Sequence, residues 1–409
     1  MKYLRYGFRF FKKWWVLNII LAIQIVVSLL ALNLTIGRAN MQYQSVNLFS
    51  DLTQYKGVYY ISTKNFEYHP DDAEETHEEI PPDIDKLKKI ENIASIEKMS
   101  FISQSNQVID TIVYPDFLIA RLPNFFAKGL WETMRTHEKN KVPVVVLDGL
   151  YSRDCQSGKM IVAGSEREGE TRQTCLVDVR GTAYTGGKYL SFAASGNMLS
   201  CLELFITHND RFKEAPLFLT CQSAVEPYKE YVYWTMSNQF IFFDADITEE
   251  EYRCNIEELE KTGIVQSFEE LYNNGIATAR SDMSSLLALT LSIFAVAIIG
   301  LISLTILNTL RHLPVFFVYF ICGCNWTRCI LIILSYLLCI GILVGIGTGF
   351  LWIAMAIQDT FFEMQLLINS HNLWTSLAML LSAVLLSIVP AYIALKARSP
   401  IQILHSKNR

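Results

Sequence analysis

Four long stretches of this chain contain no Asp, Glu, Lys or Arg: Trp14 to Gly37, Met283 to Leu310, Cys329 to Gln358 and Met364 to Leu395. Each is rich in Leu, Ile, Val and Ala, and each exceeds the roughly 20 residues that a helix needs to cross a bilayer core. Lipid offers a backbone no hydrogen-bond partner, so a span has to satisfy its own amide and carbonyl groups, and a helix does this unaided. The expected fold class is an α-helical membrane protein with four transmembrane helices. The interval from Arg38 to Ser281 is too long and too mixed for a loop, and predicts a large extracytoplasmic α+β domain inserted between helices 1 and 2.

Charge placement predicts the orientation. Segments Met1–Lys13, Arg311–Arg328 and Lys396–Arg409 together hold 11 Lys/Arg and no Asp or Glu. The interval Arg38 to Ser281 carries 24 basic and 37 acidic residues, a net charge of −13. Short cytoplasmic loops are enriched in Lys and Arg. Four spans with both termini in the cytoplasm of a cell membrane satisfy that rule throughout. The basic start followed by an apolar run resembles a signal peptide, but the run is long and no small-residue cleavage site follows it. A retained anchor is expected.

The boundaries follow from these patterns. An amphipathic helix is expected over 1–13, a first span over 14–37 and the α+β domain over 38–266. A stalk helix over 267–282 leads into a second span over 283–310, a cytoplasmic loop over 311–328 and a third span over 329–357. An outer loop over 358–372, a fourth span over 373–395 and a cytoplasmic tail over 396–409 complete the chain. In the first helix Tyr3, Leu4, Phe8 and Phe11 alternate with basic residues, which predicts a helix lying in the headgroup layer with its aromatics in lipid and its Lys and Arg on anionic lipid.

Within the large domain, β-branched and aromatic runs predict strands over Gly57–Thr63, Ile96–Ser103, Val108–Tyr114, Val142–Leu147, Lys159–Val162, Thr174–Val179, Leu202–Thr207, Leu217–Cys221 and Phe240–Phe243. Pro81-Pro82-Asp83 reads as a stop and N-cap for a helix over Asp83–Ile93. Thr248 with Glu251, and Ser267 with Glu270, have the spacing of capping boxes and predict two further helices. After Ser267 no proline occurs until the second span is complete, so the stalk and span form one helix unless Asn273-Asn274-Gly275 breaks it. Residues His69–Asp85 form an acidic, proline-containing loop. Five cysteines (Cys155, Cys175, Cys201, Cys221 and Cys254) fall in this domain, and their spacing leaves the pairing open.

Several chemistries are excluded by pattern. Gly181-Thr-Ala-Tyr-Thr-Gly-Gly-Lys-Tyr has one residue too many for a phosphate-binding loop and lacks its Ser/Thr. His77-Glu78 lacks the second His of a zinc-protease helix, and Cys322-Gly-Cys324 has no partner pair for metal. The spans contain no ionisable residue besides His371 near an outer edge, which argues against a proton-coupled transporter. No catalytic residue, cofactor, metal or nucleic-acid partner is expected.

The layout of one span, a large outer domain and three further spans resembles that of the MacB/FtsX-type (FtsX-like) ABC transporter permeases. Arg311-His312-Leu313-Pro314 through Cys322-Gly323-Cys324-Asn325-Trp326 looks like the family's cytoplasmic segment. Ala397-Arg398-Ser399-Pro400-Ile401-Gln402-Ile403-Leu404 looks like its closing pattern of a basic residue, Pro, Ile and Leu. Val142–Asp148, Gly158–Ala163 and Cys175–Gly181 resemble core strands of the family's outer domain. The sequence departs from the family where Pro314 stands in place of an acidic residue.

The resemblance implies a separate ABC ATPase subunit docked on the cytoplasmic loop and a second permease chain, in a homodimer or heterodimer within the lipid bilayer. It implies mechanotransmission, with an extracellular peptide, lipopeptide or other amphiphile as the exported cargo. Arg311, Phe316, Phe317, Gly323, Asn325 and Trp326 are the expected ATPase-coupling residues. Gly341, Gly345 and Gly349 are expected to let helices pack closely. Two other readings stand beside this one: a regulator of an extracellular cell-wall hydrolase, and a receptor or immunity protein with no ATPase.

Overall fold

The computed structural model describes residues 2–62, 83–103, 108–126, 128–134, 140–147, 160–163, 173–183, 188–191, 200–207, 217–357 and 370–396. Most of the acidic loop, Cys155, and the closing segment Ala397–Leu404 lie outside the described residues. The chain forms two compact units, Met1–Asn40 with Ser281–Arg409, and Met41–Arg280.

The first unit is helical. It contains α1 (Lys2–Lys13), the larger part of α2 (Trp15–Phe49), most of α7 (Phe268–Arg311), α8 (Leu313–Ile321), α9 (Trp326–Ile357) and α10 (Ser370–Lys396). Four of its helices, those that begin at Trp15, Phe268, Thr327 and Ser370, are long and apolar enough to cross a membrane. Their outward residues are apolar as well: Ile20, Ile23 and Val27 on α2, Val296 and Ile299 on α7, Ile346 and Phe350 on α9, Leu381 and Leu385 on α10. So large an apolar surface is foreign to a water-soluble monomer, and membrane protein is the class it indicates.

Helix α2 is the centre of this unit. Half of its most apolar window is buried, against 22% for α7 and 17% for α10. Leu21 packs beside Gly300 of α7, where an added Cβ would lie 3.2 Å from the leucine Cδ1. Val26 packs beside Gly347 of α9 at the same distance. The glycines expected to pack closely, Gly341, Gly345 and Gly349, are not the ones at these two contacts within the chain. A Cβ at Gly341, Gly345 or Gly349 meets no atom within 4 Å. Gly347 is two residues from Gly345, and 3.6 residues per turn put the two on nearly opposite faces. Gly345 and Gly349 instead line an open groove of about 420 Å³ together with Leu29, Leu373 and Leu377.

The second unit is built on β1 (Gly57–Ser62), β2 (Ile90–Ser103), β3 (Val108–Tyr114), β4 (Lys141–Leu147), β5 (Met160–Ala163), β6 (Gln173–Ala183), β9 (Leu217–Cys221), β10 (Val232–Phe243) and β11 (Gly263–Ser267). A separate pair joins β7 (Lys188–Leu190) to β8 (Phe205–Thr207). The large sheet runs β11-β1-β10-β2-β3-β9-β4-β6-β5, and β5 pairs back onto the far end of β2. Six strands therefore close into a ring. Its inward residues alternate along each strand as a pleat requires: Met99 and Phe101, Ile109, Val142, Val144 and Val146, Ile161, Cys175 and Val177, and Phe218 form one buried cluster. Short helices α3 (Asp116–Arg121), α4 (Lys128–Met134), α5 (Gln222–Val225) and α6 (Glu249–Leu259) complete the unit. A second cluster, rich in aromatics such as Tyr59, Tyr114, Phe126, Phe240 and Phe242, includes Phe268 at the start of α7.

The expected helix over Asp83–Ile93 is not formed. A single 3-10 turn spans Ile84–Lys86, and β2 begins at Ile90. Ile90, Ile93 and Ala94 pair with Phe243, Ile241 and Phe240 of β10. Pairing of β-branched residues with an aromatic strand outweighs the Pro-Pro-Asp signal. The expected strand over Leu202–Thr207 begins instead as a 3-10 turn, Cys201–Leu204. Cys175, Cys221 and Cys254 are free thiols.

Both capping boxes form. The Thr248 hydroxyl accepts from the Glu251 amide while the Glu251 carboxylate accepts from the Thr248 amide. Ser267 and Glu270 make the same exchange at 3.1 and 2.9 Å. Helix α7 then runs unbroken past Asn273, Asn274 and Gly275 to Arg311. Gly275 is a packing residue, because a Cβ there would lie 2.4 Å from the Cys201 sulfur and 3.2 Å from Val46. Gly275→Val is expected to destabilise the sheet unit by about 1–3 kcal/mol through overpacking, read as a lowered thermal midpoint. An unchanged midpoint contradicts this packing.

Candidate functional site

The segment that joins α7 to α9 is the candidate site, and its shape follows from three residues. His312 ends α7, donating its amide to the Asn308 carbonyl at 3.1 Å, and caps α8, accepting from the Phe316 amide at 2.9 Å. Pro314 occupies the first turn of α8, where its missing amide costs nothing. Gly323 ends α8 at φ +82°. The Gly323 amide donates to Phe320 and the Cys324 amide to Tyr319, the paired bonds that close a helix through a left-handed residue. Asn325 then opens α9, its carbonyl accepting from Arg328 at 2.9 Å.

One face of α8 is buried against α1. Phe10 stacks on the His312 ring at 4.1 Å between centroids and meets Phe316 edge-on at 5.8 Å. Tyr6 meets Tyr319 edge-on at 5.6 Å. Gly7 allows this approach, since a Cβ there would lie 2.7 Å from the backbone of Ser335 and Tyr336 in α9. The stripe of Tyr6, Gly7 and Phe10 faces protein, while Phe8, one of the aromatics expected in the headgroup layer, is exposed. The opposite face of α8 exposes Val315, Val318 and Ile321, the last at 67%.

A buried polar chain lies beside these contacts. The Tyr336 hydroxyl of α9 accepts from the Asn308 amide of α7 at 2.9 Å and donates to the Asn18 carbonyl oxygen of α2 at 2.6 Å. The Asn18 amide donates in turn to the Phe11 carbonyl of α1 at 2.9 Å. Three helices thus meet at one phenol, and the Asn18 side chain links a fourth, α1. None of these three side chains is charged, so a search of the spans for ionisable groups passes over them.

The expected coupling residues divide by position. Phe316 is 1% exposed and packs against Phe10, so its side chain holds α8 in place from the buried side. The Arg311 guanidinium lies over the Trp14 ring at 4.4 Å, tying α7 to the junction of α1 and α2. Phe317 is half-buried, and Gly323 and Asn325 are exposed at the turn. Trp326 is the first residue of α9, and its side chain lies outside the described residues. Among the described residues no group of His, Cys, Asp and Glu is placed to hold a metal ion. No protein-family model matches the chain, and no curated protein matches it in sequence.

Burial, together with the nearby charge of Lys13, holds the His312 imidazole below the ordinary histidine range. Its Nε2 is buried with no partner among the described residues. The folded chain therefore binds this proton less readily than the unfolded chain does. Stability contributed here is complete above about pH 6.5 and falls as the pH drops through the window between that value and the depressed folded value. Protection factors of the α8 amides, corrected for the pH dependence of intrinsic exchange, are expected to fall on acidification through that window and to lose this response in His312→Asn. Equal pH responses in the two proteins contradict the assignment.

Proposed function

We propose that this chain is the membrane subunit of an ABC transporter of the MacB/FtsX mechanotransmission type. In this reading both termini and α8 face the cytoplasm, and the sheet unit lies outside the cell membrane. A separate ATPase subunit docks on α8, a second permease chain completes the membrane part, and the cargo is a peptide, lipopeptide or other amphiphile. The observation that carries the proposal is the construction of α8. It is a separate short helix between two membrane-length helices, fixed from behind by α1 and exposing Val315, Val318 and Ile321 in front. An apolar stripe at spacing i, i+3, i+6 suits insertion into a groove of a partner protein.

Two further features support the reading. The basic bias of Met1–Lys13 and Arg311–Arg328 favours a cytoplasmic side for α1 and α8. Helices α2 and α7 each extend from one compact unit into the other without a break, so they are the elements along which a movement started at α8 passes outward.

The test is purification of the tagged full chain from its native host in mild detergent. The wild type is expected to bring a stoichiometric ABC ATPase. Val318→Asp with Ile321→Asp is expected to lose at least nine-tenths of it, on the order of the 1.4 kcal/mol that a tenfold loss requires, with an unchanged thermal midpoint. Reproducible absence of any ATPase from the intact wild-type chain removes the proposal and favours a receptor or immunity protein.

A further inference from the structure

Helix α1 has two faces, and among the described residues the inward one packs against other helices. The inward face carries Tyr6, Gly7 and Phe10 against α8 and α9. The outward face carries Arg5, Phe8, Arg9 and Lys12, which follow the i, i+3, i+4, i+7 spacing of one helical stripe. All four are exposed, as are Lys13 and Trp15 just beyond. Phe8 is 58% exposed and stacks on Phe11 at 6.4 Å, so its ring stands at the surface beside the cations. No acidic residue occurs anywhere in the chain before Asp51, and none occurs in α8.

We infer that the outward face of α1 binds anionic phospholipid headgroups and that its inward face passes this occupancy on to α8, so that anionic lipid orders the docking helix. The inference rests on the reading of α8 as the ATPase-docking helix and adds a regulator to it. Charge complementarity selects the occupant: three outward cations, Arg5, Arg9 and Lys12, with no ion-pair partner among the described residues meet a negative surface, and each Lys or Arg near such a surface is attracted to it. The exposed Phe8 and Trp15 select a bilayer over a soluble polyanion, because aromatic rings partition into the headgroup layer. The transmission path is short. Phe10 touches both the cap residue of α8, His312, and its buried residue Phe316, while Tyr6 touches Tyr319 one turn further on. Fixing α1 against lipid therefore fixes three side chains of the α8 segment. Releasing α1 leaves the buried side of α8 without its wall.

The experiment uses the full chain in bilayer discs of phosphatidylcholine alone, and of phosphatidylcholine mixed with phosphatidylglycerol. Amide hydrogen exchange is followed in Lys2–Lys13 and Leu313–Ile321. Phosphatidylglycerol is expected to slow exchange several-fold in both segments of the wild type. In Arg5→Gln/Arg9→Gln/Lys12→Gln, whose changes are all at the surface, neither segment is expected to respond. In Tyr6→Ala/Phe10→Ala, α1 is expected to keep its response while α8 loses it. Equal exchange in the two lipids overturns the inference, as does a response of α1 alone in the wild type. Equal protection by heparin in phosphatidylcholine discs overturns the choice of lipid as the occupant. No ATPase takes part in the measurement, so its outcome is separate from that of the co-purification.

Discussion

Polar side chains inside apolar helices have to find one another, and in this chain they do so through α2. At one level Asn18 meets Tyr336 of α9, and Tyr336 meets Asn308 of α7. At the other end of its apolar stretch the Asn33 side-chain amide donates to Ser376 of α10 at 2.8 Å, and Thr35 shares a hydrogen bond with Thr290 of α7 at 3.0 Å. Asn372 of α10 donates to the Asn33 carbonyl and accepts from Asn40. Apolar side chains alone fix helix register weakly in lipid, because lipid is as apolar as they are. Each interhelical hydrogen bond contributes only about 0.5–2 kcal/mol. Their placement at two levels of one helix nevertheless sets the register of every neighbour relative to α2.

The same logic extends to α8. Its position is fixed by side chains that the sequence presents as candidates for contact with a partner. Phe316 is a wall of the Phe10–His312 stack, Arg311 rests on Trp14, and Gly323 supplies the one backbone geometry that ends the helix. What remains for a partner is the other face, Val315, Val318 and Ile321, and the exposed turn that includes Asn325. Burial separates residues that build the surface from residues that form it.

Long-period features were legible in the sequence. Charge-free stretches marked the four membrane-length helices, and the Thr248/Glu251 and Ser267/Glu270 spacings marked both helix starts. Features that depend on which face meets which were not. The Gly341, Gly345 and Gly349 repeat has the form of a packing stripe, yet the close contacts fall at Gly7, Gly300 and Gly347. No spacing rule distinguishes the two faces when both are apolar. The start of β2 was hidden for a related reason: Ile90 and Ile93 suit a strand only once β10 lies beside them. Asn18, Asn308 and Tyr336 were visible as polar residues in charge-free stretches. Any amide or phenol at membrane depth needs a partner, and that criterion finds them where a search for charge does not.

The account depends most on the sidedness of the membrane, and the chain carries its own reporters. Cys254 on α6 and Cys322 at the end of α8 are both exposed free thiols. Intact cells are treated with a membrane-impermeant maleimide, and the modified sites are read by peptide mass spectrometry before and after permeabilisation. The account predicts that Cys254 is modified in intact cells and Cys322 only after the membrane is opened. Modification of Cys322 in intact cells contradicts it.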